Sequence, residues 1–449
     1  MSNLSLGRSN VYRIFLFYAV PSLLATTAQV IAGFVDSFFI GNYVGSIGIA
    51  AITMFSPVVM LVYSFAGLIA IGGSTLAGIY YGANRFEEAN NFFNVCLALL
   101  TGFSILITLV FIFGGNLIFA NIFNLEGELL VYTKQYSSII SMFFIMFSLN
   151  FLLTLFLRLD NMPILTTIAS IVGMFINVGL DYLFVGVLGY KMVGAAIATG
   201  LSQLIPFVIL LYFLIKKSKF KIALPKFHLN EIKEMFYNGS SELLSTASFS
   251  ISGMIFNYII ATRLNDNAIA SFGLALQISN IAISLAYGIA DGVQAPISFN
   301  YGAKQNKRVI AFRNISNLVI FILSILFAYI FFFKADFVVN LFIDDQATID
   351  LAVHILFFYG FTIILSGFNI VMTTFYTAIN QPLISIVSSL LRAIIGVVIG
   401  LIILPNLFGN DGIWLSQLLA EVFALIFIFY NIIRRPLGRK ELKLKKVLL

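Results

Sequence analysis

Apolar residues along this chain gather into twelve long runs, at 14–41, 46–71, 92–114, 129–157, 163–188, 193–215, 236–261, 267–290, 315–333, 350–378, 383–404 and 412–433. Short polar breaks part them. Each run is close to or above the ~20 residues that a helix needs to cross the ~30 Å hydrocarbon core of a bilayer. In hydrocarbon a segment must satisfy its own backbone hydrogen bonds, and a helix does so within one stretch of chain. The pattern predicts an all-α integral membrane protein with twelve transmembrane helices. The first run stands out: Leu16 to Gly41 is almost wholly apolar yet carries Asp36. A carboxylate at that depth costs at least ~2.5–3.5 kcal/mol, so it is expected to face protein or water rather than lipid.

The runs repeat. Shifted by 220, Leu23, Leu24 and Thr26 fall on Leu243, Leu244 and Thr246, and Ile31 and Gly33 fall on Ile251 and Gly253. Gly72 falls on Gly292, Tyr81-Gly82-Ala83 on Tyr301-Gly302-Ala303, and Asn94 on Asn314; with a shift of 219, Pro163 falls on Pro382. Gly82 and Gly302 are expected to set the turns after their runs. Six spans per half is an even number, so both halves enter the membrane from the same side. Their pseudo-twofold axis is expected to lie along the membrane normal, as in transporters built from parallel repeats. The reading is a six-helix lobe at 1–215, a basic linker at 216–235, a second six-helix lobe at 236–433 and a basic tail at 434–449.

Composition agrees with membrane burial. Of 449 residues, 60% are hydrophobic and 10% charged, and the mean hydropathy is +1.01. Soluble domains carry roughly 25% charged residues. The net charge of +7 reflects topology, not nucleic-acid binding. With the N-terminus inside, the cytoplasmic segments hold Arg8, Arg13, Arg85, Arg158, Lys216, Lys217, Lys219, Lys221, Lys226, Lys233, Lys304, Lys307, Arg308 and Arg313, besides the Lys and Arg residues from Arg434 to Lys446. The outer loops hold Lys134, Lys191, Arg263 and Lys334. The excess of Lys and Arg on one side places both termini in the cytoplasm. The polar N-terminus lacks the short apolar core and cleavage site of a secretory signal, so the first helix is expected to stay. A single cysteine, Cys96, allows no intrachain disulfide.

Departures from the repeat point to chemistry. Asp36 falls on Phe256, Asn177 on Gly396 and Asp181 on Gly400. The first half therefore carries oxygen ligands where the second has an aromatic ring or no side chain. Asn177 and Asp181 are four apart and share one helix face, and Thr199 is a candidate hydroxyl partner. Two carboxylates, an amide and a hydroxyl suit a hard cation such as Na+. They equally suit a proton held between two carboxylates. The competing reading sets Asp36 and Asp181 at the outer interface, near Gly41 and near Gly186 and Gly189.

Other polar residues inside runs are less specific. Glu242, Asp291, Gln277 and Gln294 are candidate substrate contacts in the second half, against helix-start, interfacial or interhelical roles. Arg392 is expected to snorkel or to bond backbone, Glu421 is open between roles, and His354 reads as a solvated helix-start residue. Pro21 offers a place for the first helix to bend. No G-x-x-x-x-G-K-[ST] loop is present, so transport would draw on an ion gradient. Neither a catalytic triad nor metal-ligand spacing supports an enzyme.

The first run closes in VDSFFIG, the second is followed by STLAGIYYGANR, and the eighth is followed by the echo QAPISFNYGAK. LRLDNMP joins the fourth and fifth runs, and NVGLDYLF and VGAAIAT follow. In this order and spacing the set resembles the MATE family, the multidrug and toxic-compound extrusion transporters, over essentially the whole chain. NGSSELLS at the start of the seventh run is similar to the branch with a Glu there. In LRLDNMP, Leu159-Asp160-Asn161 stands where relatives commonly show a small residue, Gln and Gly. The resemblance implies a secondary antiporter that exports amphipathic, often cationic, small-molecule drugs in exchange for H+ or Na+, without a further cofactor. It implies a cation site at Asp36, Asn177, Asp181 and Thr199. The expected setting is a bacterial or archaeal cytoplasmic membrane, with the chain acting as a monomer. The alternative is a lipid-linked oligosaccharide flippase of the wider superfamily.

Overall fold

The computed structural model describes residues 5–123, 125–264, 266–343, 345–434 and 437. All regular structure among them is helical, in the order α1 Val11–Tyr43, α2 Ser46–Gly82, α3 Phe86–Leu117, α4 Gly127–Met142, α5 Phe144–Leu159, α6 Pro163–Asp181, α7 Lys191–Lys217, α8 Leu229–Arg263, α9 Asp266–Gly302, α10 Asn306–Phe333, α11 Ala335–Val339, α12 Gln346–Ala378, α13 Pro382–Leu390, α14 Gly396–Phe408 and α15 Asp411–Arg434. Wider π-helical turns follow α3 (Ile118–Ile122) and α6 (Tyr182–Val187) and join α13 to α14 (Leu391–Ile395). Among the described residues, eleven helices are long and apolar enough to span a membrane, twelve when the bent pair α4–α5 counts as one. Apart from positions 434 and 437, the basic tail expected at 434–449 lies outside the described residues.

Several helices outrun their apolar runs. α2 continues from 71 to Gly82 and α9 from 290 to Gly302, past Asp291, Gln294 and Asn300. Hydropathy marks the part of a helix that lies in hydrocarbon, and a helix needs no apolar side chains beyond it. The fourth run, expected as one helix over 129–157, bends by 46° between Met142 and Phe144. The Thr108 hydroxyl donates to the Ser141 carbonyl at 2.6 Å, an acceptor that a continuing helix would use for residue 145. The Phe143 ring meanwhile lies directly over Gly200 of α7, where a Cβ would come within 2.2 Å of it.

The chain forms two compact units, one of residues 1–6 and 20–239, the other of residues 7–19 and 240–449. The sequence repeat reappears in their backbones. α2 and α9 have bounds related by 220 and both measure 37 residues. After α2, Arg85 N–H reaches back to the Tyr80 carbonyl with Asn84 at φ 62°. After α9, Gln305 N–H reaches back to Asn300 with Lys304 at φ 58°. These are Schellman-type helix ends. Gly82 and Gly302 close the helices, but the left-handed position falls two residues later. The turns before α6 and α13 match likewise, with Asn161 at φ 65° and Asn380 at φ 55°.

Inside the first unit, residues 218–228 are not a free tether. Asn90, Asn91 and Asn94 on α3 pair with their backbone. Asn90 Oδ1 accepts from Lys221 N–H at 2.7 Å, and Asn94 Oδ1 from Ala223 N–H at 2.7 Å. Asn91 accepts from and donates to Lys226 at 2.8 and 2.9 Å. Phe220 is fully buried against Phe86, Phe93, Phe156 and Tyr81. Phe220→Ala is expected to cost about 3–5 kcal/mol, the range for truncating a core aromatic, read as a lowered calorimetric unfolding midpoint in detergent.

Asp160, in the turn after α5, accepts the Lys219 N–H at 2.7 Å. Burial nevertheless lifts its carboxyl above the ordinary range, and that hydrogen bond only partly offsets the rise. A carboxyl raised in the folded state loses stability as pH climbs through its folded value. Asp160→Asn keeps an acceptor for Lys219 and carries no charge. It is expected to unfold at a higher temperature than the parent at pH 7–8, the gap closing as pH falls toward about 4, the ordinary carboxylate range.

Candidate functional site

Three helices of the first unit bring the site together. α1 carries Asp36, seven residues before its end at Tyr43. α6 carries Asn177 and Asp181 one turn apart, both buried, with Asp181 at 0% exposure. α7 carries Thr199. Asn177 Nδ2 donates to Asp36 Oδ1 at 3.1 Å, and Thr199 Oγ1 donates to Asp36 Oδ2 at 3.2 Å. The Thr199 hydroxyl also lies 3.0 Å from the Ala195 carbonyl. Each oxygen of Asp36 thus has one donor.

Asp181 is different. It lies close enough to Asp36 for the two charges to interact, yet both its carboxylate oxygens, and Asn177 Oδ1, accept no hydrogen bond from the described residues. Most buried polar atoms are paired. Asp181, whose one polar partner among the described residues is the Asp36 carboxyl at hydrogen-bonding range, therefore forms with Asp36 and Asn177 Oδ1 a concentrated acceptor cluster. Asp181 is the last residue of α6 before the π turns at Tyr182–Val187, a distortion frequent at functional sites. The four residues selected in the sequence are neighbours, and Asp181 is enclosed by protein.

Tyr136 of α4 was not singled out by sequence. It lies within electrostatic range of Asp36 and Asp181 and beside Thr199. Its ring also meets Phe55 edge-on at 6.1 Å, in an aromatic core with Phe111, Phe119 and Phe144. One of nineteen tyrosines, it carried no positional signal, because its run of sequence reads as ordinary apolar helix.

The second unit fills the equivalent positions differently. Phe256 stacks on Phe272 at 5.3 Å, and Phe272 stacks on Trp414 at 5.7 Å. Gly396 and Gly400 let α14 lie directly on α15: a Cβ at Gly396 would come within 2.5 Å of Ala420 Cα, and one at Gly400 within 2.8 Å of Ser416 Cα. Side chains of the size of Asn and Asp have no room there.

The remaining candidates are more scattered. Glu242 is partly buried, 3.5 Å from the Thr246 hydroxyl, and its charge senses Asp291. Gln294 is buried and Gln277 is exposed on α9. His354 pairs with Asp411 at 2.7 Å, both about half exposed. Arg392, expected to snorkel, instead forms an ion pair with Glu421, Nη2 to Oε1 at 2.9 Å. Among the described residues, no group of three or more His, Cys, Asp or Glu could hold a metal ion.

A repeated pair of helical units made of long apolar helices defines a polytopic membrane protein, and the first unit encloses an acidic cluster. The MatE family profile matches residues 21–183 and 243–402, once in each half. The chain belongs to the MatE family, whose members are transporters rather than enzymes. It is 25% identical over 439 residues to the multidrug export protein MepA of Staphylococcus haemolyticus, covering 95% of each chain. It is 24% identical over 428 residues to MepA of Staphylococcus saprophyticus, covering 93% of each. The crystal structure of a MATE protein in the straight conformation superposes with a TM-score of 0.90 at 20% identity, over 96% of this chain and 97% of that one.

Proposed function

We propose that this protein exports amphipathic, often cationic, small molecules across a bacterial or archaeal cytoplasmic membrane by alternating access, exchanging them for H+ or Na+ at Asp36, Asn177, Asp181 and Thr199. The observation that carries the proposal is the donor imbalance between two neighbouring carboxylates. A fully buried carboxylate without donors is costly as a bare anion, so Asp181 calls for a proton or a metal cation. Asp36, held by two donors, is the fixed partner across from it. Loading the cluster with positive charge removes the repulsion between the carboxylates and lets α1 and α6 approach. Emptying it restores the repulsion. The carboxylates thus give α1 two arrangements that a bound ion can bias, and Pro21, whose missing N–H already leaves one intrahelical bond unmade, is where the helix can flex. The export names of the relatives support small-molecule cargo and do not favour the flippase alternative.

The test uses proteoliposomes loaded with a fluorescent lipophilic cation such as ethidium, with a pH gradient or a Na+ gradient imposed separately. Efflux driven by one gradient and not by the other identifies the ion. Efflux indifferent to both gradients contradicts the proposal.

A further inference from the structure

The second unit contains a built site that the acidic cluster does not use. A cavity of about 140 Å³ opens among α8, α9, α12, α13 and α15 and the π turn at Leu391–Ile395. Its polar edge is the Arg392–Glu421 pair. Glu421, 1% exposed, is saturated. Oε1 accepts from Ser366 at 2.7 Å and from Arg392 Nη2 and Nε at 2.9 and 3.1 Å. Oε2 accepts from Asn369 at 2.6 Å and Arg392 Nε at 2.9 Å. These contacts fill the roughly four lone-pair sites of a carboxylate.

Arg392 is not saturated. A guanidinium has five N–H donors, and Glu421 engages only Nε and Nη2. The guanidinium is 14% exposed and borders the cavity, where it also hydrogen-bonds Tyr287, so only the N–H groups left by Glu421 and Tyr287 are open to a ligand. No other acidic or basic residue lines the space. Arg392, paired with Glu421, is the one cationic donor among the described lining residues, and Glu242 and Asp291 lie within electrostatic range of Tyr287 on the wall. Its walls are aromatic: Phe249, Phe256, Phe272 and Tyr359 line it. A space of roughly 150 Å³ lined by apolar groups holds one benzene-sized ring.

We infer that this cavity is a binding subsite for the aryl-carboxylate end of an amphipathic molecule, the carboxylate on the N–H groups of Arg392 that Glu421 and Tyr287 leave open and the ring against Phe256 and Phe272. Planar bidentate recognition of carboxylate is what the guanidinium fork provides. The inference rests on the reading of this chain as a carrier of amphipathic molecules only for its use in transport, since binding itself needs no gradient.

Trp414 is the only tryptophan and stacks on Phe272 of the cavity wall, so a heavy-atom probe in the cavity should quench it. The experiment titrates the full-length protein in nanodiscs with 4-iodobenzoate, 4-iodobenzyl alcohol and 4-iodobenzylammonium. Saturable quenching by the benzoate is expected at a concentration at least tenfold below that of either analogue. Gly253 lines the cavity, and a Cβ there meets nothing within 4 Å. Gly253→Leu can therefore enter the cavity from this position, and is expected to fill the space and abolish saturable quenching. Arg392→Gln with Glu421→Gln keeps the network neutral and hydrogen-bonded, and is expected to bring the three probes within twofold of each other. Asp36→Asn is expected to leave quenching unchanged, which separates this inference from ion coupling. Equal quenching by the three probes in the parent protein would overturn the inference, as would saturable benzoate quenching that persists in Gly253→Leu. The first two comparisons stand even if the double variant fails to fold.

Discussion

Asp36→Asn is expected to reduce export of a lipophilic cation to the level of cells lacking the protein, while the variant still reaches the membrane in normal amount. The amide oxygen can still accept from one neighbour, and the side chain keeps its size, so folding should survive. The lost property is the negative charge. Without it Asp181 has no partner with which to share a proton or ligate a metal cation, and the arrangement of α1 no longer depends on the ion. Asp181→Asn is expected to do the same from the other side of the cluster. Thr199→Ala removes one donor to Asp36. A hydrogen bond to a charged group is worth about 1.5 kcal/mol at the low end, so that variant should transport with an ion affinity altered by roughly tenfold. Efflux and membrane abundance measured in the same cells check all three, and normal efflux by Asp36→Asn would remove the site.

The second large effect concerns stability. Glu421→Met leaves the Arg392 guanidinium without its counter-ion, and Arg392→Met leaves the Glu421 carboxylate 1% exposed with only Ser366 and Asn369 as donors. Breaking one side of a buried ion pair costs about 3–5 kcal/mol. Each single variant is expected to unfold well below the parent in a thermal melt in detergent. The double variant, which removes both charges and replaces them with apolar side chains, should recover most of the loss, because an apolar pair in the same space carries no desolvation penalty. Single and double variants with equal losses would show that the pair contributes packing rather than charge compensation.

How much of this was legible in the sequence follows from the range of the signals. Spans announce themselves because lipid imposes apolar side chains over ~20 residues at a time. The duplication is legible because it preserves local turn chemistry: the left-handed residues Asn84 and Lys304 stand at the same place in both copies. The candidate residues Asp36, Asn177 and Asp181 can be picked out because they break that duplication, and the close approach of α15 leaves no room for such side chains at Gly396 and Gly400. Features that depend on a neighbour far along the chain were not legible. The bend at Phe143 depends on Gly200 and Thr108. Tyr136 belongs to the site through the packing of α4, not through any motif. The pairing of Arg392, expected to snorkel or to bond backbone, is hidden because its partner Glu421 lies 29 residues away, on another helix, and sequence spacing carries no record of helix packing.

If the acidic cluster of the first unit binds the ion whose movement is tied to that of the cargo, coupling also runs in reverse. Vesicles containing the protein, loaded with ethidium and diluted into ethidium-free buffer with no ion gradient, should show inward H+ or Na+ flux as the dye leaves. The flux should be followed with an internal pH dye or with radioactive sodium. The account predicts ion entry in proportion to dye exit for the parent protein, and none for Asp36→Asn. Equal ion entry in the variant would contradict it.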